Sequence, residues 1–259
     1  MCVGFLAFLG PRPDNRFMQM VRRRVLATAF SLALLTLVFS GGGGRAATDP
    51  TATVVVITSG VVPEAGVVGS GDYGYADYGL VLRNRSSARD ALDVTVEVEA
   101  VDAGGQSITD SYTTVTLIPA GADFVISGAL IWRGATELAG IETEVDVGQT
   151  APRHRRLPPV KHVSVTSSGR VIGSFANPYK KPLPASATIY GVVLDSRGRI
   201  VSTGYDLADA ITRRGATVAF DIRGTSTMVQ RDVTSAKVSV DPCGYLVFTR
   251  VCPVPGARS

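Results

Sequence analysis

Residues 92–108 read LDVTVEVEAVDAGGQSI, and residues 186–201 read SATIYGVVLDSRGRIV. Laid over one another at a separation of 93, Asp102 falls on Asp195, Gly105 on Gly198, Ile108 on Val201 and Tyr112 on Tyr205. In the first stretch apolar Leu92, Val94, Val96 and Val98 alternate with Asp93, Thr95, Glu97 and Glu99. A period of two is the signature of a strand with one buried face. An acidic residue and a glycine shared at one spacing then mark a hairpin corner. The short acceptor bonds the following amides, and the glycine tolerates positive φ. Asp102, Gly105, Asp195 and Gly198 are therefore assigned as structural turn residues. Arg197 and Arg199 do not recur; their counterparts are Gly104 and Gln106.

The match extends in both directions. LVLRNRSS (80–87) lies on GSFANPYK (173–180), with Asn84 on Asn177. After one inserted residue Gly121 meets Gly215 and Ile126 meets Phe220, and ETEVDV and AKVSVD return to a separation of 93. This is a tandem duplication of one β-domain. Strand candidates at this density, about seven to a copy, predict antiparallel sandwiches. The expected limits are 47–69 for an N-terminal strand or lead-in, 70–148 for the first sandwich and 160–241 for the second. A Pro/Arg-rich linker over 149–159 joins them, and 242–259 forms a C-terminal extension.

Each copy has a strand ending in Asn, an alternating strand, D-x-x-G, a further strand, then a glycine before an aromatic. The first supplies Asn84, Asp102, Gly105, Pro119, Gly121 and Phe124; the second supplies Asn177, Asp195, Gly198, Gly215 and Phe220. This pattern resembles the FxLYD-type bacterial immunoglobulin-like domain over most of residues 75–241. Both copies depart from the family's aromatic–Leu–Tyr–Asp run, with EAVD in one and VVLD in the other. The resemblance implies an all-β chain of two tandem immunoglobulin-like antiparallel β-sandwiches. It also implies an exported adhesive or scaffolding role and no catalytic residues.

A hydrophobic content of 45% with 19% charge supports real cores, and 28 Gly with 14 Pro favour strands and turns. The net charge of +4 conceals a split. Residues 47–150 hold 4 basic and 15 acidic groups, net −11, whereas 151–259 hold 16 and 6, net +10. Opposite halves attract within a chain or between chains, so association of domains or copies through charge is expected. The basic residues are dispersed without interleaved aromatics, which argues against nucleic acid.

Arg22, Arg23 and Arg24 precede an apolar run from Val25 to Phe39 and then small residues, the order of a secretory signal. Residues 1–46 are read as an upstream extension and signal peptide, with cleavage after Ala46. A spanning helix needs about 20 residues, so an anchor would have to use residues 25–44. The expected location is thus secreted or cell-surface, with membrane anchoring as the alternative. Export leaves Cys243 and Cys252 as a candidate disulfide. Extended chain between them would cover roughly 30 Å, whereas a disulfide needs Cα atoms about 4.4–6.8 Å apart. The chain must double back over GYLVFTRV, or the bond is intermolecular or absent.

Little else suggests chemistry. His154 and His162 lie in or beside the linker among Arg153, Arg155, Arg156 and Lys161, which disfavours a metal dication and leaves a hydrolase triad no well-placed base. Glu97, Glu99, Glu142 and Glu144 fit solvent-facing strand positions rather than a calcium or glycosidase site. GDYGYADYG (71–79) reads as a flexible lead-in, with Tyr73, Tyr75 and Tyr78 as candidate partner-contact aromatics. Trp132 reads as part of the first core. The sequence accordingly points to a non-enzymatic exported binding or structural module of the bacterial envelope, without a cofactor and with a protein or cell-wall partner. An exported enzyme with a carboxylate site and a membrane-anchored accessory subunit are the alternatives.

Overall fold

The duplication reappears as two copies of one strand order. The computed structural model describes residues 51–63, 73–134, 136–224 and 233–244. Residues 1–46 and Cys252 lie outside the described residues. The first copy runs β1 (Val54–Pro63), β2 (Tyr73–Asn84), β3 (Arg89–Val101), β4 (Ser107–Ile118), β5 (Asp123–Arg133) and β6 (Gly140–Pro152). The second runs β7 (Val160–Val165), β8 (Val171–Ala176), β9 (Thr188–Asp195), β10 (Ile200–Leu207), β11 (Thr217–Ile222) and β12 (Val233–Asp241). The sheets are β1-β2-β5 facing β4-β3-β6, and β7-β8-β11 facing β10-β9-β12. All pairings are antiparallel. The chain is all-β, two tandem β-sandwiches.

Four details differ from the reading of the sequence. Each sandwich has six described strands rather than about seven. The first begins at Val54, since β1 pairs with β2 along its whole length. The segment taken as linker starts as strand: Gln149, Thr150, Ala151 and Pro152 pair with Leu92, Ala91, Asp90 and Arg89. Proline is tolerated there because β6 is an edge strand with no described neighbour on its other side. Residues 73–79 of GDYGYADYG are likewise no lead-in but the first half of β2, paired with β5 from Tyr73↔Arg133 onward.

Buried asparagines hold corresponding corners. Asn84 Nδ2 donates to the carbonyls of Arg89 (2.9 Å) and Ile118 (3.0 Å), while its Oδ1 accepts from Ser86 N at 3.0 Å. Asn177 Nδ2 donates to Lys181 O (3.0 Å) and Thr212 O (2.8 Å), and its Oδ1 accepts from Tyr179 N at 2.8 Å. One side chain thereby stitches the second strand to two connections, satisfying carbonyls that would otherwise be buried unpaired. Across the sandwich, Asp102 Oδ1 accepts from Gly104 N and Gln106 N, both at 2.8 Å. Asp195 Oδ1 accepts from Arg197 N and Arg199 N, both at 2.9 Å. Gly105 (φ 72°) and Gly198 (φ 75°) occupy the left-handed position that only glycine adopts freely. In both copies one residue at the start of the next strand bulges out of register, at Ile108 and Val201.

Burial separates two kinds of strand. In β3 buried and half-buried residues alternate from Asp93 onward, as expected of a sheet with one wet face. In β2 residues 76–82 are all buried, and every residue of β9 is buried. Both faces of those sheets must therefore be covered. Ala76, Tyr78, Leu80 and Leu82 belong to the same core cluster as Val94, Val96 and Val98 of β3. That cluster also contains Tyr190, Val192, Leu194 and Ile200 from the second copy. The two copies consequently pack together, with β10-β9-β12 lying on β1-β2-β5.

Candidate functional site

The seam between the sandwiches rests on small side chains. Gly60, Gly79 and Ser127 form one row across β1, β2 and β5. A Cβ on Gly60 would lie 2.8 Å from Ile200 Cβ, and one on Gly79 would lie 2.8 Å from Val192 Cγ1. Thr203 Oγ1 donates to Tyr78 O at 3.2 Å, and Ser127 Oγ donates to Gly204 O at 2.6 Å. Between Ile200 and Gly204, β10 thus passes over all three strands of the facing sheet. At one end Phe124 meets Tyr190 edge-on, with ring centroids 6.3 Å apart.

Polar contacts finish the same seam. Ser239 Oγ accepts from Val125 N at 2.9 Å, and Lys237 Nζ bonds Asp123 at 3.1 Å. Asp123 also pairs with Arg83, whose hydrogen bond is the main cause holding its carboxyl below the usual range. Asp241, fully buried, accepts Cys243 N on Oδ1 and Thr116 N on Oδ2. Burial is the main cause pushing its carboxyl above the ordinary value, despite those amide donors. Burial likewise raises the Tyr190 phenol.

The outer face of β4-β3-β6 is acidic. Glu99 lies between Asp110 and Glu142, Glu97 between Tyr112 and Glu144, and Thr95 between Thr114 and Asp146. Like charges directly opposite one another weaken a sheet. Tyr112 relieves one row by donating to Glu97 Oε1 at 2.7 Å, a bond that is the main cause raising its own phenol pKa. Ninety-three positions on, Glu97 and Glu99 become Tyr190 and Val192, two of the residues that dock in the seam. The row Gly79–Ser127 correspondingly becomes Ile172–Asp221 in the second copy, where β8 pairs with β11. Ile172 is 38% exposed, and Asp221 pairs with Arg170.

At one end of the first sandwich a concavity of about 610 Å³ opens between the β4–β5 turn and the chain after β6. Its apolar walls include Pro119, Ala122 and Leu157, and Arg153, His154 and Arg156 stand exposed around it. The buried Asp90 ties the parts together. Its Oδ1 accepts from Ala120 N at 2.9 Å, and its Oδ2 accepts from Arg155 N (3.0 Å) and His154 N (3.2 Å). The Arg155 guanidinium lies 3.7 Å from the same carboxylate. Tyr179 of the second copy donates to Arg156 O at 2.7 Å. His154 thus sits on fixed backbone rather than in a mobile linker. The signal for this was a lone Asp at the start of β3, replaced by Leu183 at the equivalent position. Nothing in its immediate neighbourhood marked it as buried.

The three candidate aromatics are not brought together. Tyr73 is 52% exposed and stacks against the Arg133 guanidinium, 5.5 Å from its ring centroid. Tyr75, half-buried, donates to Asp77 Oδ1 at 2.9 Å. Tyr78 is fully buried and bonds Thr113 at 3.0 Å, so it makes no partner contact; its even position on β2 turns it to the core. Trp132 is buried and donates to Thr136 O at 2.9 Å. Cys243 is disulfide-bonded, its partner lying outside the described residues. Among the described residues no group of three His, Cys, Asp or Glu is placed to hold a metal ion. No helix among them is long and apolar enough to cross a membrane.

No family model matches the chain, and no curated protein matches it. Among solved structures it is similar to one described as a structural element that modulates proton-coupled electron transfer in oxalate decarboxylase. That likeness has 10% identity and a TM-score of 0.12, over 72% of this chain and 73% of that one. A mutant of Bacillus subtilis oxalate decarboxylase gives 9% identity, a TM-score of 0.14 and the same coverage. Likenesses at these scores support no statement about activity.

Proposed function

We propose that the chain is a non-enzymatic, exported binding or structural module of the bacterial envelope or extracellular space, related to the FxLYD-type immunoglobulin-like domains. The observation that carries this reading is the seam. The core cluster of the first sandwich takes in Tyr190, Val192, Leu194 and Ile200 of the second, which keeps a further core cluster of its own, so the two are joined by apolar packing. A continuous apolar seam serves to hold surfaces at fixed separation. Catalysis would call instead for an acid–base constellation in a cleft, and the two histidines occupy separate exposed positions among cations. Export is supported by the arginine-led apolar run at residues 22–39.

The test is retention. Exported full-length protein, freed of cytoplasm, is mixed with washed envelope fractions and sedimented. Saturable co-sedimentation is expected, together with release of the chain into the medium or onto the cell surface in vivo. Absence of saturable retention on every fraction, or confinement to the cytoplasm, overturns the reading.

A further inference from the structure

We infer that the concavity beside Arg153–Leu157 is a binding site for an acidic saccharide, a sugar unit carrying a carboxylate or a phosphate. The inference deepens the proposed binding role by naming a ligand class, and rests on it. Three observations lead there. First, the site is built before any ligand arrives. One buried carboxylate, Asp90, bonds the amide of the wall residue Ala120 and the amides of the rim residues His154 and Arg155. Tyr179 fixes the other end of the rim through Arg156 O. A preorganised site spends little ordering entropy on binding.

Second, the charge is left over. Arg155 lies against Asp90, and this accounts for the one carboxylate there among the described residues. Arg153 bonds only a neutral carbonyl, Ser87 O at 3.3 Å, and the Arg156 side chain has no acidic partner among the described residues. Two guanidinium forks therefore remain for an anion, and such forks match the planar or tetrahedral oxygens of carboxylate and phosphate.

Third, the walls are apolar. Pro119, Ala122 and Leu157 offer flat aliphatic surface on which the C–H face of a pyranose ring can lie, while the rim takes its acid group. A volume of about 610 Å³ exceeds what a lone oxyanion would fill and falls in the range of sites for molecules of one or two sugar rings. The site belongs to the first copy alone, since Leu183 replaces Asp90 and removes the tie.

Calorimetric titration of the full chain with an oligogalacturonate, a mannose 6-phosphate oligosaccharide and a neutral dextran of equal length tests the inference. The first two separate a carboxylate source from a phosphate source. At least one acidic ligand is expected to bind, dextran is not, and R153Q/R156Q is expected to weaken binding at least tenfold with an unchanged thermal midpoint. Equal binding of dextran, an unaffected double variant, or no binding of either acidic ligand overturns it. If the wild type is still retained on envelope fractions when acidic sugars fail, the saccharide inference falls and the binding-module reading stands.

Discussion

Gly79 of the first sandwich lies against Val192 of the second, so close that a Cβ would stand 2.8 Å from the valine methyl. Replacing it with valine puts branched atoms where Val192 and Thr203 already sit. Overpacking of this kind costs about 1–3 kcal/mol. G79V is expected to lower the unfolding free energy by that amount, seen as a lowered denaturation midpoint, and to raise proteolysis at the seam. G140V, where a Cβ meets nothing within 4 Å, is expected to leave the midpoint nearly unchanged. Equal effects of the two would show that the seam is not tightly packed.

Asn177 supports two carbonyls at once, Lys181 O and Thr212 O, and accepts Tyr179 N. N177A strips partners from a buried corner, at a cost of about 1–3 kcal/mol for each polar group left unsatisfied. N84A is expected to do the same in the first copy. Because Tyr190, Val192, Leu194 and Ile200 of the second sandwich pack into the core cluster of the first, either change should shift one common unfolding transition. Two resolved transitions in wild-type calorimetry would contradict that coupling.

The buried Asp241 makes stability depend on pH in an unusual direction. Its folded carboxyl titrates above the ordinary value of 3.8, so the native state holds this proton more tightly than the unfolded chain. The stability it contributes is complete below about pH 3.8 and is lost as pH rises through the raised value. Asp206, also raised chiefly by burial, acts in the same sense. Asp123 and Asp195 are held low, by the Arg83 side chain and the Arg199 amide respectively, so their stability is lost as pH falls. Comparing midpoints of wild type and D241N between pH 4 and 7 isolates the first group. The wild type should decline more steeply with rising pH, and parallel curves would refute the assignment.

Salt should matter little to the seam. Its described ion pair is Lys237 with Asp123, both partly exposed, set against a layer of Tyr190, Val192, Leu194 and Ile200. Exposed pairs contribute about 0–1 kcal/mol and are screened. Small-angle scattering in 1 M salt is expected to return the low-salt radius. Expansion of the particle would show that charge, not apolar contact, holds the sandwiches together.

The repeat was legible because turns are local. Asp102 and Gly105, or Asp195 and Gly198, specify a corner within five residues. Alternation over Leu92–Val98 located the sheet with one wet face. The seam was not legible, because its signal is a substitution between copies rather than a pattern within one. Glu97 and Glu99 against Tyr190 and Val192 is a change from charge to bulk at equivalent positions, which gains meaning only once the two faces are known to differ in company. The apolar run TIYGVVLD reads equally as a strand of any buried sheet. Asp90 carries no local signal of its burial, since its partners at Ala120 and His154 are 30 and 64 residues away.

The seam joins unlike faces, the outer side of one sheet in the first copy and of the other sheet in the second. Such a joint has no internal reason to stop, because each copy could offer its remaining face to a further neighbour and grow a fibre. Here both remaining faces are blunted. Where the incoming sheet would present Tyr190 and Val192, the first copy carries Glu97 and Glu99; where the trough of Gly79 and Ser127 would receive it, the second carries Ile172 and Asp221. At the positions equivalent to the seam, each remaining face thus carries carboxylates, which disfavour a repeat of the same apolar joint.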